Sequence, residues 1–247
     1  MSDKGAPMLP WPEEDFSVYG PVEAQPVGKV QHYVGRAMSR NWSMIPHVTH
    51  NDDADVTRFE ERRKAWNAAN PDKKRTLLPI LMKASVAILQ EYPQFNCSLS
   101  ADGSKIFKKG YYNIGFAVDV PSGLLVPVVR NCDQKSIDEI AEEIVQISEK
   151  ARTKGLAMAE MSGGCFTLSS LGHIGGTSFS PIINAPEVAI LGITRTRGRF
   201  LPDADGNPQL RQLLPLSLSY DHRVINGADA ARFVRAVADF LENFEFA

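Results

Sequence analysis

Apolar strands and amphipathic helices interleave along this 247-residue chain without a regular strand–helix–strand repeat. Val30, Tyr33, Val34, Ala37, Met38 and Trp42 fall at helical spacing and stop before Pro46. Residues 45–55 read as a strand, followed by a charged helix to residue 67 that Asp55 or Thr57 caps. A strongly apolar helix over 78–92 ends at Pro93, and Ser136 caps another that runs to about 154 with Ile137, Ile140, Ile144 and Ile147 on one face. Strands are expected at 112–120 and 124–129, separated by Pro121-Ser122-Gly123 as a hairpin or closely linked strands, and again at 165–168, 188–193 and 213–219. Residues 203–208 form a turn between the last two, and a final helix spans 228–244. This order predicts an α/β two-layer sandwich, a mixed β-sheet covered by helices on one face.

With 43% hydrophobic residues the chain buries a substantial core as one domain, two at most. Residues 1–15, with Pro7, Pro10 and Pro12, read as a linker end or extended arm, leaving 16–247 as the folded domain. The net charge is −2 and no long basic stretch occurs, so nucleic acid and anionic membranes are not expected partners. No apolar run approaches the roughly 20 residues of a membrane span, and the N-terminus lacks a signal-peptide pattern. The expected location is the cytoplasm, or the mitochondrial matrix in a eukaryote. Cys97, Cys132 and Cys165 are scattered, which suits neither zinc nor a disulfide framework, so they are expected to be small buried hydrophobes. His47 and His50, three apart on one strand, face opposite ways and are poorly placed to share a metal; His32 and His173 are expected to be local polar contacts. There is no internal repeat and no glycine-rich nucleotide loop; Gly163-Gly164 and Gly175-Gly176 signal only close backbone approach.

The most informative run is Ser217-Leu218-Ser219-Tyr220-Asp221-His222-Arg223-Val224-Ile225-Asn226-Gly227. A histidine where a strand gives way to a turn is held by rigid backbone while its ring faces outward, which suits a general base, because imidazole titrates nearest neutral pH. The plain alternative is a histidine capping the strand end through backbone bonds. Ser169 and Ser170 sit where the strand 165–168 runs out, either as a turn feature or as an oxyanion donor. Asn226-Gly227 is either part of the same site or a turn that tolerates left-handed backbone.

The run resembles the His-x-x-x-Asp-Gly signature of the dihydrolipoyl acyltransferases, the catalytic cores of the 2-oxo acid dehydrogenase complexes, which chloramphenicol acetyltransferases share. Here Asn226 stands where most of the family has Asp, removing the charge that an ionic partner, commonly an arginine, would meet. Asp15-Phe16-Ser17-Val18-Tyr19-Gly20, Ile45-Pro46-His47-Val48-Thr49, 123–130, 166–172 and Asn184-Ala185-Pro186-Glu187 are similar to further segments of that core, in its order. The similarity is greatest to the acetyltransferase branch of the pyruvate dehydrogenase complex. It implies a chloramphenicol acetyltransferase-like fold and transfer of an acetyl group between a dihydrolipoyl thiol and coenzyme A. His222 would be the base, Ser169 the oxyanion donor and Asn226 a site-organising residue, with no metal. The lipoyl group would ride on a separate domain, and the decarboxylase and dihydrolipoyl dehydrogenase components would bind through modules absent from these residues, so the chain is expected to be a piece of a longer protein. Copies would form trimers with His222 and Ser169 contributed by neighbouring chains, assembled into a cubic 24-mer. Succinyl- or branched-chain specificity, a free-standing O-acetyltransferase of the chloramphenicol type, and a non-catalytic scaffold are the alternatives.

Phe233, Val234, Val237, Phe240 and Leu241 give the last helix an apolar face. Phe244 and Phe246 lie at and beyond its end, in a tail expected to be too short to fold back, leaving about 300 Å² of apolar surface exposed. The resemblance implies that such a tail docks on a neighbouring trimer.

Overall fold

The computed structural model describes residues 10–121 and 123–246. Residues 1–9 of the expected arm and Ser122 of the expected hairpin turn lie outside them; residues 10–15 have no regular structure and are exposed. The helices are α1 (Lys29–Met44), α2 (Thr57–Ala69), α3 (Leu77–Glu91), α4 (Ile137–Thr153) and α5 (Gly227–Glu242). The strands are β1 (His47–Asp55), β2 (Cys97–Leu99), β3 (Ile106–Lys108), β4 (Ile114–Phe116), β5 (Val118–Val120), β6 (Gly123–Leu125), β7 (Val128–Val129), β8 (Phe166–Ser170), β9 (Ala189–Ile193), β10 (Arg197–Pro202) and β11 (Pro208–Asp221).

The described residues form a seven-stranded sheet in the order β1-β11-β9-β8-β4-β7, with β10 paired to the first half of β11. Its β4–β8 and β8–β9 pairs are parallel and the others antiparallel, so the sheet is mixed as expected. The expected hairpin exists but is interrupted: β4 and β7 stay in the main sheet, while β5 and β6 form a two-stranded ribbon of their own. Helix α5 lies on β1 and β11, and α3 packs between α4, α5 and β8. Phe233 of α5 stacks on Phe95 at 4.2 Å and meets Phe166 of β8 at 5.6 Å, joining the layers through fully buried rings. Helix α4 begins with a reciprocal cap: Glu139 N donates to Ser136 Oγ at 3.2 Å and Ser136 N donates to Glu139 Oε2 at 2.7 Å.

Three strands were not legible in the sequence. Strands β3 and β10 are largely exposed, Ile106, Phe107 and Phe200 by more than half, so neither presents an apolar face. Strand β2 is largely buried, but three residues are too few to show a period.

The C-terminal tail departs from expectation. Phe244 and Phe246 are half-buried and pack against Phe59 of α2 at 5.9 and 5.3 Å, within the same chain. Arg62 holds the turn, donating to Phe244 O at 3.1 Å and pairing with Glu245 at 2.7 Å. Helices α2 and α5 are neighbours. Packed helix axes lie about 8–10 Å apart, and three extended residues span roughly 10 Å, so even a five-residue tail reaches the core.

Candidate active site

The strand end that carries His222 is fixed before any side chain is considered. Asp221, 2% exposed, closes β11 opposite His47 of β1. Its carboxylate accepts from Arg223 Nη2 at 2.6 Å, Arg223 Nε at 2.9 Å and Arg223 N at 3.0 Å, while its carbonyl accepts from Val224 N and Ile225 N. A buried carboxylate with this many donors is satisfied, and the turn it organises is rigid. His222 N donates to Pro46 O at 3.1 Å. The backbone of His222 is therefore pinned, whereas its ring is exposed and, among the described residues, makes no hydrogen bond; the Tyr220 ring lies 5.8 Å away.

Asn226 occupies the N-cap position of α5 with extended backbone, φ −91° and ψ 157°. The left-handed turn considered for Asn226-Gly227 is thus not formed, because α5 starts directly at Gly227. The Asn226 side chain does not cap the helix and is exposed, four residues after His222. The local ion pair is Asp221–Arg223 rather than one at position 226.

Ser169 and Ser170 are half-buried at the end of β8 and face opposite sides of the sheet. Ser169 lines a cavity of about 900 Å³ walled by α1, the β5–β6 ribbon and residues 182–187. Two residues back on the same face, Thr167 Oγ1 donates to Glu187 Oε2 at 2.7 Å. Glu187 is 3% exposed, and burial raises its carboxyl to about 7, partly offset by the Thr167 bond, Lys109 and Asn184. The cavity wall needs a small residue at one point: a Cβ at Gly164 would lie 2.6 Å from Glu187 Oε1. Sequence reasoning quoted Glu187 without giving it a role; a lone acid opening the apolar run Val188-Ala189-Ile190-Leu191 was the available signal.

Ser170 lines a second cavity of about 430 Å³ with Arg63, Lys64, His173, Thr194 and Arg195. Thr194 is 2% exposed and its Oγ1 has no hydrogen-bond partner among the described residues, an uncommon state for a buried hydroxyl.

The structure does not bring His222 and Ser169 together within one chain. Ser169 lies opposite Gly192 of β9, which lies opposite Ser217 of β11, and His222 follows five residues later. Two strand spacings and five residues of rise separate them by roughly 19 Å. The three cysteines are fully buried, each thiol donates to a backbone carbonyl, and burial drives Cys132 up to about 11, so none is a ready thiolate.

A strand end presents a histidine, a serine faces a cavity, and a mixed sheet lies under a helical layer. The sequence profile described as 2-oxoacid dehydrogenases acyltransferase (catalytic domain) matches residues 19–247, and the chain belongs to that family. It is 50% identical over 230 residues to the dihydrolipoyllysine-residue acetyltransferase component of pyruvate dehydrogenase complex of Azotobacter vinelandii, covering 92% of this chain and 36% of that protein. The chain thus spans about a third of the length of that relative. The solved dihydrolipoamide acetyltransferase of A. vinelandii superposes with a TM-score of 0.92 at 47% identity, covering 96% of this chain and 98% of the other. In that enzyme a serine, a histidine and an asparagine were investigated for their role in the catalytic mechanism, the serine 52 residues before the histidine and the asparagine four after it. The cubic core of the pyruvate dehydrogenase multienzyme complex likewise gives a TM-score of 0.92, at 48% identity and with 96% and 98% coverage. Chloramphenicol acetyltransferase shares the fold, with a TM-score of 0.59 at 15% identity over 83% of this chain and 94% of the other.

Proposed function

We propose that residues 16–247 are the catalytic domain of an acetyltransferase that moves an acetyl group between a dihydrolipoyl thiol and coenzyme A, residues 1–15 being its arm. The observation that carries this reading is His222, backbone-pinned and ring-exposed at a strand end, in a family of acyltransferases. His222 takes the proton of the attacking thiol, and a hydroxyl at the end of β8 stabilises the tetrahedral oxyanion. Asn226, four residues after His222, organises the site at the spacing found in the A. vinelandii enzyme. That enzyme's serine spacing falls on Ser170 if the intervening chains are equal in length, and on Ser169 if this chain carries one extra residue. Ser169 is favoured because it shares its cavity with the Thr167–Glu187 floor.

The 19 Å gap makes one chain an incomplete enzyme, so His222 of one copy meets the serine of another. The likeness to a cubic core supports trimers joined in a 24-mer. The two cavities suit the two substrates. The larger, mostly apolar one receives the lipoyl arm. The smaller, with Lys64, Arg195 and an unpartnered Thr194 hydroxyl, receives the phosphates of coenzyme A. Lipoyl domain, decarboxylase and dihydrolipoyl dehydrogenase are the partners of the whole protein, and the cytoplasm is its site of action; no helix among the described residues is long and apolar enough to cross a membrane. Rates with acetyl-, succinyl- and isobutyryl-coenzyme A, each with dihydrolipoamide and with chloramphenicol, test the reading. Acetyl-coenzyme A with dihydrolipoamide is expected to be fastest. Preference for chloramphenicol, or for a longer acyl group, would overturn it.

A further inference from the structure

The His47 side chain has no part in the chemistry above, yet its ring is fully engaged. Its Nδ1 lies 2.8 Å from Ile45 O, and Ile183 N donates to its Nε2 at 3.0 Å. A carbonyl only accepts and a backbone N–H only donates, so Nδ1 carries the proton and Nε2 is bare: the ring is held as one neutral tautomer. Trp42 stacks on it at 5.4 Å. Asn41, 2% exposed, donates from Nδ2 to Ile183 O at 2.9 Å, so both polar groups of Ile183 are held from the α1–β1 corner.

Each end of this bridge leads to a different part of the site. On one side, Ile183 is buried within the strap 182–187, where Ile182, Asn184, Ala185, Pro186 and Glu187 wall the Ser169 cavity. On the other, His47 is paired with Asp221 across β1 and β11, and neighbouring Pro46 O accepts from His222 N.

We infer that His47 is a positioning residue: its imidazole clamps the wall of the Ser169 cavity to the strand end that carries His222, and so sets the shape that receives the lipoyl thiol. The inference rests on the acyl-transfer reading. The Oε1 of Gln reaches the place of Nε2 and still accepts from Ile183 N, whereas Asn reaches only the place of Nδ1. His47→Asn is therefore expected to raise KM for dihydrolipoamide about tenfold, the value of one hydrogen bond of about 1.4 kcal/mol. KM for acetyl-coenzyme A and kcat should stay within about twofold, and His47→Gln should behave as wild type. An unchanged KM in folded His47→Asn overturns the inference; equal losses in the Gln and Asn variants overturn it too, because ring packing on Trp42 would then be the cause. Should His47→Asn fail to assemble, Asn41→Ser, which removes the bond to Ile183 O along with the two bonds from Arg40 to Asn41 Oδ1, must also raise KM for dihydrolipoamide, and an unchanged KM there is fatal. Wild type and His222→Ala measured alongside separate the two levels. An inactive wild type or an active His222→Ala defeats the acyl-transfer reading, whereas normal behaviour of both with an unchanged His47→Asn defeats the clamp alone.

Discussion

Around His222 a buried carboxylate fixes the backbone while the ring stands open to solvent; around Ser169 the cavity floor itself is buried, down to a carboxyl that desolvation raises to about 7. The first region has its charges paired at the surface end of β11, through Asp221 and Arg223. The second sits where β8 runs between β4 and β9 and holds its polar groups in apolar surroundings. A base benefits from exposure, since it must release and regain a proton. An oxyanion donor benefits from exclusion of water, since its hydrogen bond strengthens at low dielectric. Each region has what the other lacks, and within one chain they do not meet.

Substitutions at the two regions should differ in kind as well as size. His222→Ala is expected to lower kcat by roughly 10²–10⁴-fold without loss of folding, read by steady-state transfer to dihydrolipoamide. A folded variant near the wild-type rate would remove the base from the account. Ser169→Ala should cost roughly 2.7–4 kcal/mol in the transition state, mostly in kcat, with Ser170→Ala costing less. The reverse order would move the oxyanion donor to the face of the basic cavity.

Glu187 separates the regions by pH. Its folded value, about 7, lies above the ordinary 4.5, so the folded chain binds more protons than the unfolded one between these values. Stability is thus fully present below pH 4.5 and falls as pH rises through 7, by about 3 kcal/mol at most. Glu187→Gln should flatten that slope in unfolding measured from pH 4.5 to 8. An identical slope in the variant would place the titration elsewhere. Smallest is the tail: Phe246→Ala should lower stability by about 1–2 kcal/mol, below the cost of a fully buried ring, while leaving kcat intact. No change in stability would mean that Phe246 does not pack on Phe59.

His222 was legible because it stands within one contiguous run, and the layers were legible because α3, α4 and α5 carry their apolar faces at helical spacing. Glu187 and His47 were not, because their roles arise from partners 20 and 136 residues away along the chain, which the fold alone brings close. Strand β10 hid because its side chains are largely exposed and include Arg197 and Arg199, and it pairs with β11 at the sheet's margin. The tail was misjudged for a related reason: its reach to Phe59 depends on α2 lying beside α5, which no local pattern shows.

The central claim, that the base and the oxyanion donor come from different copies, is tested most directly by complementation. Chains carrying His222→Ala and chains carrying Ser169→Ala would be co-expressed in equal amounts and assembled together. If each site takes its histidine from one copy and its serine from the next, random mixing leaves about a quarter of the sites intact, and about a quarter of wild-type activity should return although each variant alone is nearly inactive. Mixed particles no more active than the separate variants would show that both groups act from one chain.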